Sequence, residues 1–367
     1  MPDSAGAAWS RARTFHHSLY PAAAIAAAKA KLELSVSVCL PARECAGTVG
    51  QIVAVLSGLR EAGAIDEIVV IDAASADGTA EVARQAGASV HQEAELMPEL
   101  GPVLGKGDAM YRALSVLSGD LVCYLDADTE SFSSHFATGL LGPLLCEQNV
   151  SFVKAFYRRP IGGVGARAEV RARVGVGVGA GAGGGAGADM ARADVGEGAE
   201  EPDGGGRVNH LMARPALALF YPELAGVRQP LAGEVAARRE LLEKLPFATG
   251  YGVEIAMLID VWRAAGLDAI AQVDLDEHRN RHQPLAALVP MAETVLATIA
   301  RRLQREGRLT GLEGGPDAAP LERPPLREAR AAHEGQRACV DAPATDATSG
   351  AEVALGAELA REAGAAR

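Results

Sequence analysis

Short apolar runs alternate along the first half of the chain with segments whose apolar residues recur at helical spacing. Four of the runs have the length and β-branched content of buried strands, at residues 35–40, 66–72, 88–91 and 120–125. Helical spacing lies between them, at residues 48–61, 79–87 and 108–117. This alternation predicts an α/β fold with a mainly parallel, Rossmann-like sheet covered by helices on both faces.

The second half of the chain has a mainly helical pattern. Helices are predicted at residues 208–220, 232–243 and 253–265, a strand at 269–273, and an amphipathic helix at 285–303. We therefore expect a smaller, mainly helical second lobe. Near the start of the chain, residues 22–28 are rich in alanine, which has the highest helix propensity, and predict one further helix.

Two segments show neither pattern. Residues 162–205 are dominated by Gly, Ala, Val and Arg, and residues 311–367 by Pro, Ala, Glu and Arg. Such compositions bury too little apolar surface to offset the entropy of ordering, so we expect a disordered insert and a disordered tail. The predicted organisation is a helical segment (1–34), a first half (35–145), a second half that contains the insert (146–310), and the tail.

Composition and charge exclude several classes of function. The formal net charge is -12, so the chain offers no general positive field to hold nucleic acid. The apolar runs are far shorter than the roughly 20 residues that span a bilayer, so we expect no membrane association. Five cysteines form an odd, widely spaced set without a CxxC pair, which favours a reduced, cytoplasmic location.

Acidic residues follow two of the predicted strands. Asp126 and Asp128 come directly after residues 120–125, and Asp72 ends the run at 66–72. The carboxyl ends of parallel strands share one edge of a sheet, where ligands bind. Carboxylate oxygens suit Mg²⁺ or Mn²⁺, which leave positions open for a diphosphate. Taken alone, such acids also occur as helix caps and turns.

Nine motifs along the chain carry a specific resemblance. They are LPARE (40–44), VIDAASADGT (70–79), GKGDAM (105–110), LDAD (125–128), FVKAFYRRP (152–160), GGGRVNHLMARP (204–215), QPLAGE (229–234), PFATGYGVE (246–254) and EHRNR (277–281). In this order they resemble the actinobacterial glucosyl-3-phosphoglycerate synthases and the related mannosyl-3-phosphoglycerate synthases. The resemblance implies a GT-A glycosyltransferase fold, transfer with retention of anomeric configuration, and a homodimer.

The resemblance also implies roles for single residues on the donor side. It assigns residues 35–145 to a nucleotide-sugar donor, with Pro41, Ala42, Glu44, Asp72, Ser75, Lys106, Asp126 and Ala127 as donor-binding residues. Asp128 and His278 are the implied ligands of a divalent metal, Mg²⁺ or Mn²⁺.

The acceptor-binding half, by the same resemblance, is residues 146–310. The implied residues around 3-phosphoglycerate are Gly206, Arg207, Asn209 and Asn280. Arg207 offers a planar fork for a phosphate or carboxylate. Asn209 stands where the family usually has threonine, so the acceptor geometry can differ here. Glu234 and Asp126 are the predicted catalytic carboxylates; without the resemblance, Glu234 would be read as a structural acid at a helix start.

The predicted reaction is transfer of glucose from a nucleoside diphosphate, UDP-glucose by preference, to the 2-hydroxyl of 3-phosphoglycerate. Three alternatives stay open. The first is a mannosyl-3-phosphoglycerate synthase that uses GDP-mannose. The second is a polyprenyl-phosphate glycosyltransferase, which the lack of an apolar or amphipathic anchor disfavours. The third is a non-catalytic nucleotide-sugar sensor, which the presence of the acidic residues and His278 disfavours.

Overall fold

A mixed sheet forms the centre of the molecule. The computed structural model describes residues 5–160, 205–279, 284–310 and 320–332. Its strands are β1 (Thr14–His16), β2 (Val36–Ala42), β3 (Glu67–Asp72), β4 (Ser89–Gln92), β5 (Leu121–Tyr124), β6 (Phe152–Arg158), β7 (Val235–Arg238), β8 (Phe247–Ala248), β9 (Ile270–Glu277) and β10 (Glu322–Arg323). The order in the large sheet is β1-β9-β6-β7-β5-β2-β3-β4, and β8 pairs with β10 in a small one. Within the large sheet, β7 is antiparallel to both neighbours, and the other pairs are parallel.

Helices flank the large sheet. They are α1 (Ala5–Ala12), α2 (Ala22–Leu32), α3 (Ala46–Glu61), α4 (Thr79–Gln85), α5 (Lys106–Ala113), α6 (His135–Cys146), α7 (Arg214–Phe220), α8 (Arg239–Leu242), α9 (Val253–Ala265) and α10 (Leu285–Arg305). A short π-helix, Asn209–Ala213, leads directly into α7. Among the described residues, none of these helices combines the length and apolarity needed to cross a bilayer.

Two hydrophobic cores lie on opposite faces of the sheet. On β3, Ile68 and Val70 pack in a core with α2, α3 and α6, whereas Val69 and Ile71 pack in the other core with α5, α9 and α10. Alternate residues of a strand point to opposite faces. Because both faces are covered, the strands read as continuous apolar runs. The predicted α/β class and its strands at 35–40, 66–72, 88–91 and 120–125 are confirmed.

The predicted helix at residues 232–243 is wrong for most of its length. Val235–Arg238 form β7, which lies between β5 and β6, and only Arg239–Leu242 are helical. Alanine and arginine favour helix locally. Burial of Val235, Ala236 and Ala237 in the middle of the sheet overrides that preference. The second half of the chain therefore supplies β6, β7 and β9 to the large sheet in addition to its helices.

The predicted tail, residues 311–367, does not hold for residues 320–326. These residues belong to the compact unit that ends at Leu326, a side chain that is 1% exposed. A two-residue strand held by a distant partner leaves no periodic pattern in the sequence. The predicted insert lies outside the described residues apart from Gly205, as do residues 333–367 of the tail.

Tyr20 packs against α6 at a glycine. A Cβ atom at Gly142 would lie 2.1 Å from Tyr20 Cγ, and the tyrosine is 4% exposed. We expect Gly142→Ala to lower the free energy of unfolding by about 1–3 kcal/mol, because overpacking outweighs the better helix propensity of alanine. Urea unfolding measures this change.

Gly58→Ala is the matched control. Gly58 lies in α3, where an added Cβ meets nothing within 4 Å. This substitution should raise the free energy of unfolding by up to about 1 kcal/mol, from helix propensity alone. A stabilising or neutral effect of Gly142→Ala would contradict the tight contact with Tyr20.

Candidate active site

The carboxyl ends of β2, β3 and β5 meet at one edge of the sheet. The three strands are parallel neighbours, so the residues that follow them come together. A cavity of about 510 Å³ opens at this edge. The predicted site residues that line it are Pro41, Ala42, Lys106, Asp126, Ala127, Asp128, Gly206, Arg207 and Asn209. Residues predicted for the donor and for the acceptor thus share one cavity.

Three further predicted donor residues, Glu44, Asp72 and Ser75, brace the loops around the cavity. The backbone N–H of Glu44 donates to Ser75 Oγ at 2.9 Å. Asp72 Oδ2 accepts from the Ser75 N–H at 3.2 Å and from Gln92 Nε2 at 2.9 Å. The buried Asp72 Oδ1 has no hydrogen-bond partner among the described residues. These bonds join the loop after β2 to the loop after β3 and leave Asp72 Oδ1 as an unused acceptor among the described residues.

A buried acid–imidazole cluster lies beside the cavity. Asp126, Glu234 and His278 each offer a ligand atom, and these atoms lie within 4.8 Å of one another. Glu234 Oε1 is 2.9 Å from His278 Nε2, and the Tyr157 hydroxyl donates to Glu234 Oε2 at 2.7 Å. Burial works to raise the pKa of Glu234, but His278, the guanidinium of Arg159 and the Tyr157 bond outweigh it and hold the pKa well below its ordinary value.

Asp128 is the cavity-lining carboxylate beside this cluster. Burial raises the pKa of Asp128, and the negative charge of Asp126 adds to the rise, while His278 and Lys106 oppose it. The prediction from sequence names Asp128 and His278 as metal ligands. The structure brings Asp126 and Glu234 to the same imidazole.

These residues fit a divalent cation. His278 is 1% exposed, and its Nδ1 has no hydrogen-bond partner among the described residues. Its Nε2 faces Glu234 and also lies 3.1 Å from Thr129 Oγ1. A buried imidazole next to several carboxylates is a suitable donor set for Mg²⁺ or Mn²⁺, whose positive charge would offset the concentration of negative charge.

Lys106 lies between two carboxylates of the cavity. Its Nζ is 2.6 Å from Asp126 Oδ1 and 3.3 Å from Glu254 Oε1. Burial acts to lower the pKa of Lys106, but Asp126 and Glu254 outweigh it and keep the pKa above its usual value. Lys106 begins α5 directly after Gly105, whose φ of 89° requires a glycine.

The end of the cavity that holds the predicted acceptor residues combines two arginines with a buried amide. Arg159 and Arg207 both line the cavity, and Arg159 Nη2 donates to the Tyr157 hydroxyl at 2.8 Å. Asn209 Oδ1 accepts from the Leu231 N–H at 2.9 Å, which orients its side chain. Asn280, the fourth predicted acceptor residue, lies outside the described residues.

Sequence reasoning missed some of the residues that line this cavity. They include Leu231, Gly233, Tyr251, Glu254 and Met291, and also Arg159, which lies in the motif at 152–160 but was given no role. Glu254 lies in the recognised motif at 246–254, where it follows the Gly-Tyr-Gly turn and enters the first turn of α9. Carboxylates at such positions are common for structural reasons too, because the helix dipole favours them.

Glu234, one of the two predicted catalytic carboxylates, is set back from the cavity wall. It is 1% exposed, and its two oxygens face Tyr157 and His278. Among the described residues, the carboxylates that line the cavity are Glu93, Asp126, Asp128 and Glu254. Glu234 therefore lies in the cluster beside the cavity and does not line it.

A second group of potential metal ligands lies elsewhere, at His16, His17 and Asp276. His17 Nε2 is 2.6 Å from Asp276 Oδ2, and His16 Nε2 is 3.3 Å from Oδ1. The Ser18 N–H donates to His16 Nδ1, so the ring proton of a neutral His16 lies on Nε2, towards Asp276. This group forms a hydrogen-bonded link between β1 and β9.

Comparisons with known proteins agree with this architecture. The model of glycosyl transferase family 2 matches residues 37–162. Glucosyl-3-phosphoglycerate synthase of Mycolicibacterium paratuberculosis is 41% identical over 297 residues, which cover 81% of this chain and 80% of the relative.

Two solved structures share the fold over most of the chain. Mannosyl-3-phosphoglycerate synthase from Rubrobacter xylanophilus is 43% identical with a TM-score of 0.73, covering 89% of this chain and 99% of that one. Glucosyl-3-phosphoglycerate synthase from Mycobacterium tuberculosis, in complex with Mn²⁺, uridine-diphosphate-glucose and phosphoglyceric acid, is 36% identical with a TM-score of 0.67, covering 87% and 99%. The GT-A fold expected from the motifs is confirmed, and the chain belongs to the glucosyl-3-phosphoglycerate synthase family of hexosyltransferases.

Proposed function

We propose that this chain transfers glucose from UDP-glucose to the 2-hydroxyl of 3-phosphoglycerate, with retention of anomeric configuration. The observation that carries the proposal is the single cavity that joins donor-side residues such as Lys106 and Asp128 to acceptor-side residues such as Arg207. It is supported by the relative from Mycobacterium tuberculosis, whose structure holds Mn²⁺, UDP-glucose and phosphoglyceric acid together.

On the donor side, the cavity wall formed by Pro41 and Ala42 would receive the uridine, with the free oxygen of Asp72 close behind. Lys106 would contact the diphosphate. A divalent metal held by Asp128 and His278, with Asp126 and Glu234 adjacent, would stabilise the charge that develops on the departing diphosphate.

On the acceptor side, the phosphate and carboxylate of 3-phosphoglycerate are two anionic groups that need separate partners. Arg207 and Arg159 both line the cavity and offer forked donors. Gly206 has a φ of 67°, a conformation that exposes backbone N–H groups to a close ligand. The buried Asn209 keeps its amide N–H₂ for a ligand, because its Oδ1 is used by Leu231.

For the chemistry, we propose attack of the acceptor hydroxyl from the face that the diphosphate leaves, with the hydroxyl proton passing to the leaving diphosphate. The rival double displacement needs a carboxylate against the anomeric carbon. The placement of Glu234 against Tyr157 and His278 supports the first route. Glu254 holds Lys106 at 3.3 Å and would keep that cation at the diphosphate.

A mannosyl transfer is the second candidate. The structural match with mannosyl-3-phosphoglycerate synthase from Rubrobacter xylanophilus has the higher TM-score of the two reported, 0.73 against 0.67. This match makes GDP-mannose the second donor to test, whereas the relative from Mycolicibacterium paratuberculosis is a glucosyl-3-phosphoglycerate synthase and supports glucose.

We further propose a cytoplasmic homodimer. Cys39, Cys45 and Cys123 are buried free thiols, which suits a reducing compartment. The proposed dimer rests on the family resemblance. Light scattering of the purified chain tests it, and the mass of a monomer would contradict it.

Donor choice tests the proposed function directly. Purified chain with Mg²⁺ and 3-phosphoglycerate is offered UDP-glucose, GDP-glucose or GDP-mannose, and release of nucleoside diphosphate and the sugar product are measured. We expect turnover with UDP-glucose and product with the retained α configuration. Preference for GDP-mannose would establish the second candidate, and no turnover with any donor would contradict both.

Metal dependence provides another test. Mn²⁺ should raise the melting temperature of the wild-type chain, and EDTA should reverse the shift, because a ligand that binds only the folded state stabilises it. His278→Asn should lose most of this shift. The control His91→Asn, on β4 and outside both groups of potential metal ligands among the described residues, should keep it. An unchanged Mn²⁺ shift in the His278 variant would remove His278 from the metal site.

Azide rescue separates the two routes at Glu234. If Glu234 were the nucleophile, azide would enter the space in Glu234→Ala and yield a glucosyl azide. We expect a drop in kcat of about a hundredfold or more, since the charge around His278 is changed, with no azide product by mass spectrometry. Formation of the azide with restored turnover of the donor would overturn the proposed route.

A further inference from the structure

The segment at residues 320–326, which we call the C-terminal strap, braces one wall of the cavity. The backbone N–H and the hydroxyl of Thr249 both donate to the Leu321 carbonyl, at 2.8 and 2.9 Å. A Cβ atom at Gly252 would lie 2.9 Å from Pro320 Cγ, so the backbone there is in close contact with the strap. This wall supplies Gly250, Tyr251 and Glu254 to the cavity.

Arg323 extends the strap to the Lys106 side of the cavity. Its Nε and Nη2 donate to Asp108 Oδ1 and Oδ2 at 2.7 and 2.8 Å, and its Nη1 donates to the Leu100 carbonyl at 3.2 Å. Asp108 is 0% exposed. A bidentate arginine–carboxylate pair of this kind fixes direction as well as distance.

Asp108 passes this constraint to the loop that precedes Lys106. Its Oδ2 accepts from the Leu104 N–H at 3.0 Å, one residue before Gly105. Arg112, which is 0% exposed, pairs with Asp108 at 3.3 Å and donates to the carbonyls of Leu96 and Gly101 at 2.7 Å. The loop is therefore wrapped around two guanidinium groups that share one carboxylate.

We propose that Arg323 is a positioning residue for the nucleotide-sugar donor, through Asp108 and the loop that presents Lys106. The inference rests on the proposed function, because it takes Lys106 as the cation that meets the donor diphosphate. Because Arg323 and Asp108 hold the loop in place before the donor arrives, donor binding does not have to offset the entropy of ordering this loop. The acceptor residues Gly206 and Arg207 belong to another segment, so the effect should be confined to the donor.

Arg323→Met and Arg323→Lys test this proposal. In the Met variant, Asp108 keeps Arg112 and the Leu104 N–H, so the buried carboxylate stays partnered and the chain should fold. We expect KM for UDP-glucose to rise about tenfold, with KM for 3-phosphoglycerate within twofold of wild type. The Lys variant keeps one charged donor and should restore part of the loss. Arg84→Met, an exposed arginine on α4, is the matched control and should change neither KM.

Two truncations give an independent measurement. A chain that ends after residue 319 lacks the strap, and a chain that ends after residue 332 keeps it. The first should lose donor affinity at least as strongly as Arg323→Met, and the second should behave as wild type. Calorimetry of UDP-glucose binding with Mn²⁺, together with the melting temperature, is recorded for every variant.

The possible outcomes distinguish a failure of the positioning role of Arg323 from a failure of the proposed function. Unchanged donor KM and affinity in folded Arg323→Met, or an equal rise in KM for both substrates, would overturn the positioning role. If wild type binds UDP-glucose without turning over 3-phosphoglycerate, the proposed function fails. Calorimetry of UDP-glucose binding still tests the positioning role of Arg323. A wild-type chain that binds no UDP-glucose overturns both. If Arg323→Met does not fold, Arg323→Lys is used instead. This variant has one ammonium group in place of the forked guanidinium, so wild-type donor affinity in the folded Lys variant would contradict the proposal.

Discussion

Four carboxylates converge at the carboxyl edge of the sheet, and their mutual repulsion is the constraint on which the site depends. They are Asp126, Asp128, Glu234 and Glu254. Like charges about 4 Å apart repel by roughly 4 kcal/mol at the effective dielectric constant of partly buried sites, so cations must be built in beside them. Lys106 and His278 contact three of the four directly. Beneath them, burial lowers the pKa of Lys154 to about 8, against the opposing effect of Glu254 and Glu234.

The antiparallel strand β7 is the means by which the fold brings Glu234 into this cluster. The neighbouring strands β5 and β6 run in the opposite direction to β7. The amino end of β7 therefore lies at the same edge as their carboxyl ends, and Glu234 immediately precedes it. A parallel strand in this place would carry the same residue to the far edge. Tyr157 on β6 and His278, directly after β9, then close the network around Glu234.

The sequence predicts the part of this arrangement that local pattern can encode. The buried parallel strands have continuous apolar runs, and Asp72 and Asp126 follow from strand ends, whereas Lys106 was assigned by the resemblance carried by its motif. β7 could not be found in this way, because its alanines favour helix and only its neighbours make it a strand. The strap was missed for the same reason: Arg323 and Asp108 are partners across the length of the fold, and a charge pair of that separation leaves no periodic signal. Glu254 lay in a recognised motif, yet nothing local distinguishes it from a helix-start acid.

The tight placement of Lys106 beside the carboxylates explains why residue 233 is a glycine. A Cβ atom at Gly233 would lie 2.5 Å from Lys106 Nζ and 2.6 Å from Asp126 Oδ1, so any side chain there would separate the cation from its carboxylate. An ammonium group has three N–H donors. Asp126 accepts a hydrogen bond from one of them, and Glu254 pairs with the charge at 3.3 Å. We expect a further N–H to be available to a phosphate oxygen. Because the net charge of the chain is -12, an anionic donor is attracted only to places where the fold holds cations, as it holds Lys106. The glycine thus permits the ion pairing that keeps the carboxylates together and leaves positive charge exposed to the cavity.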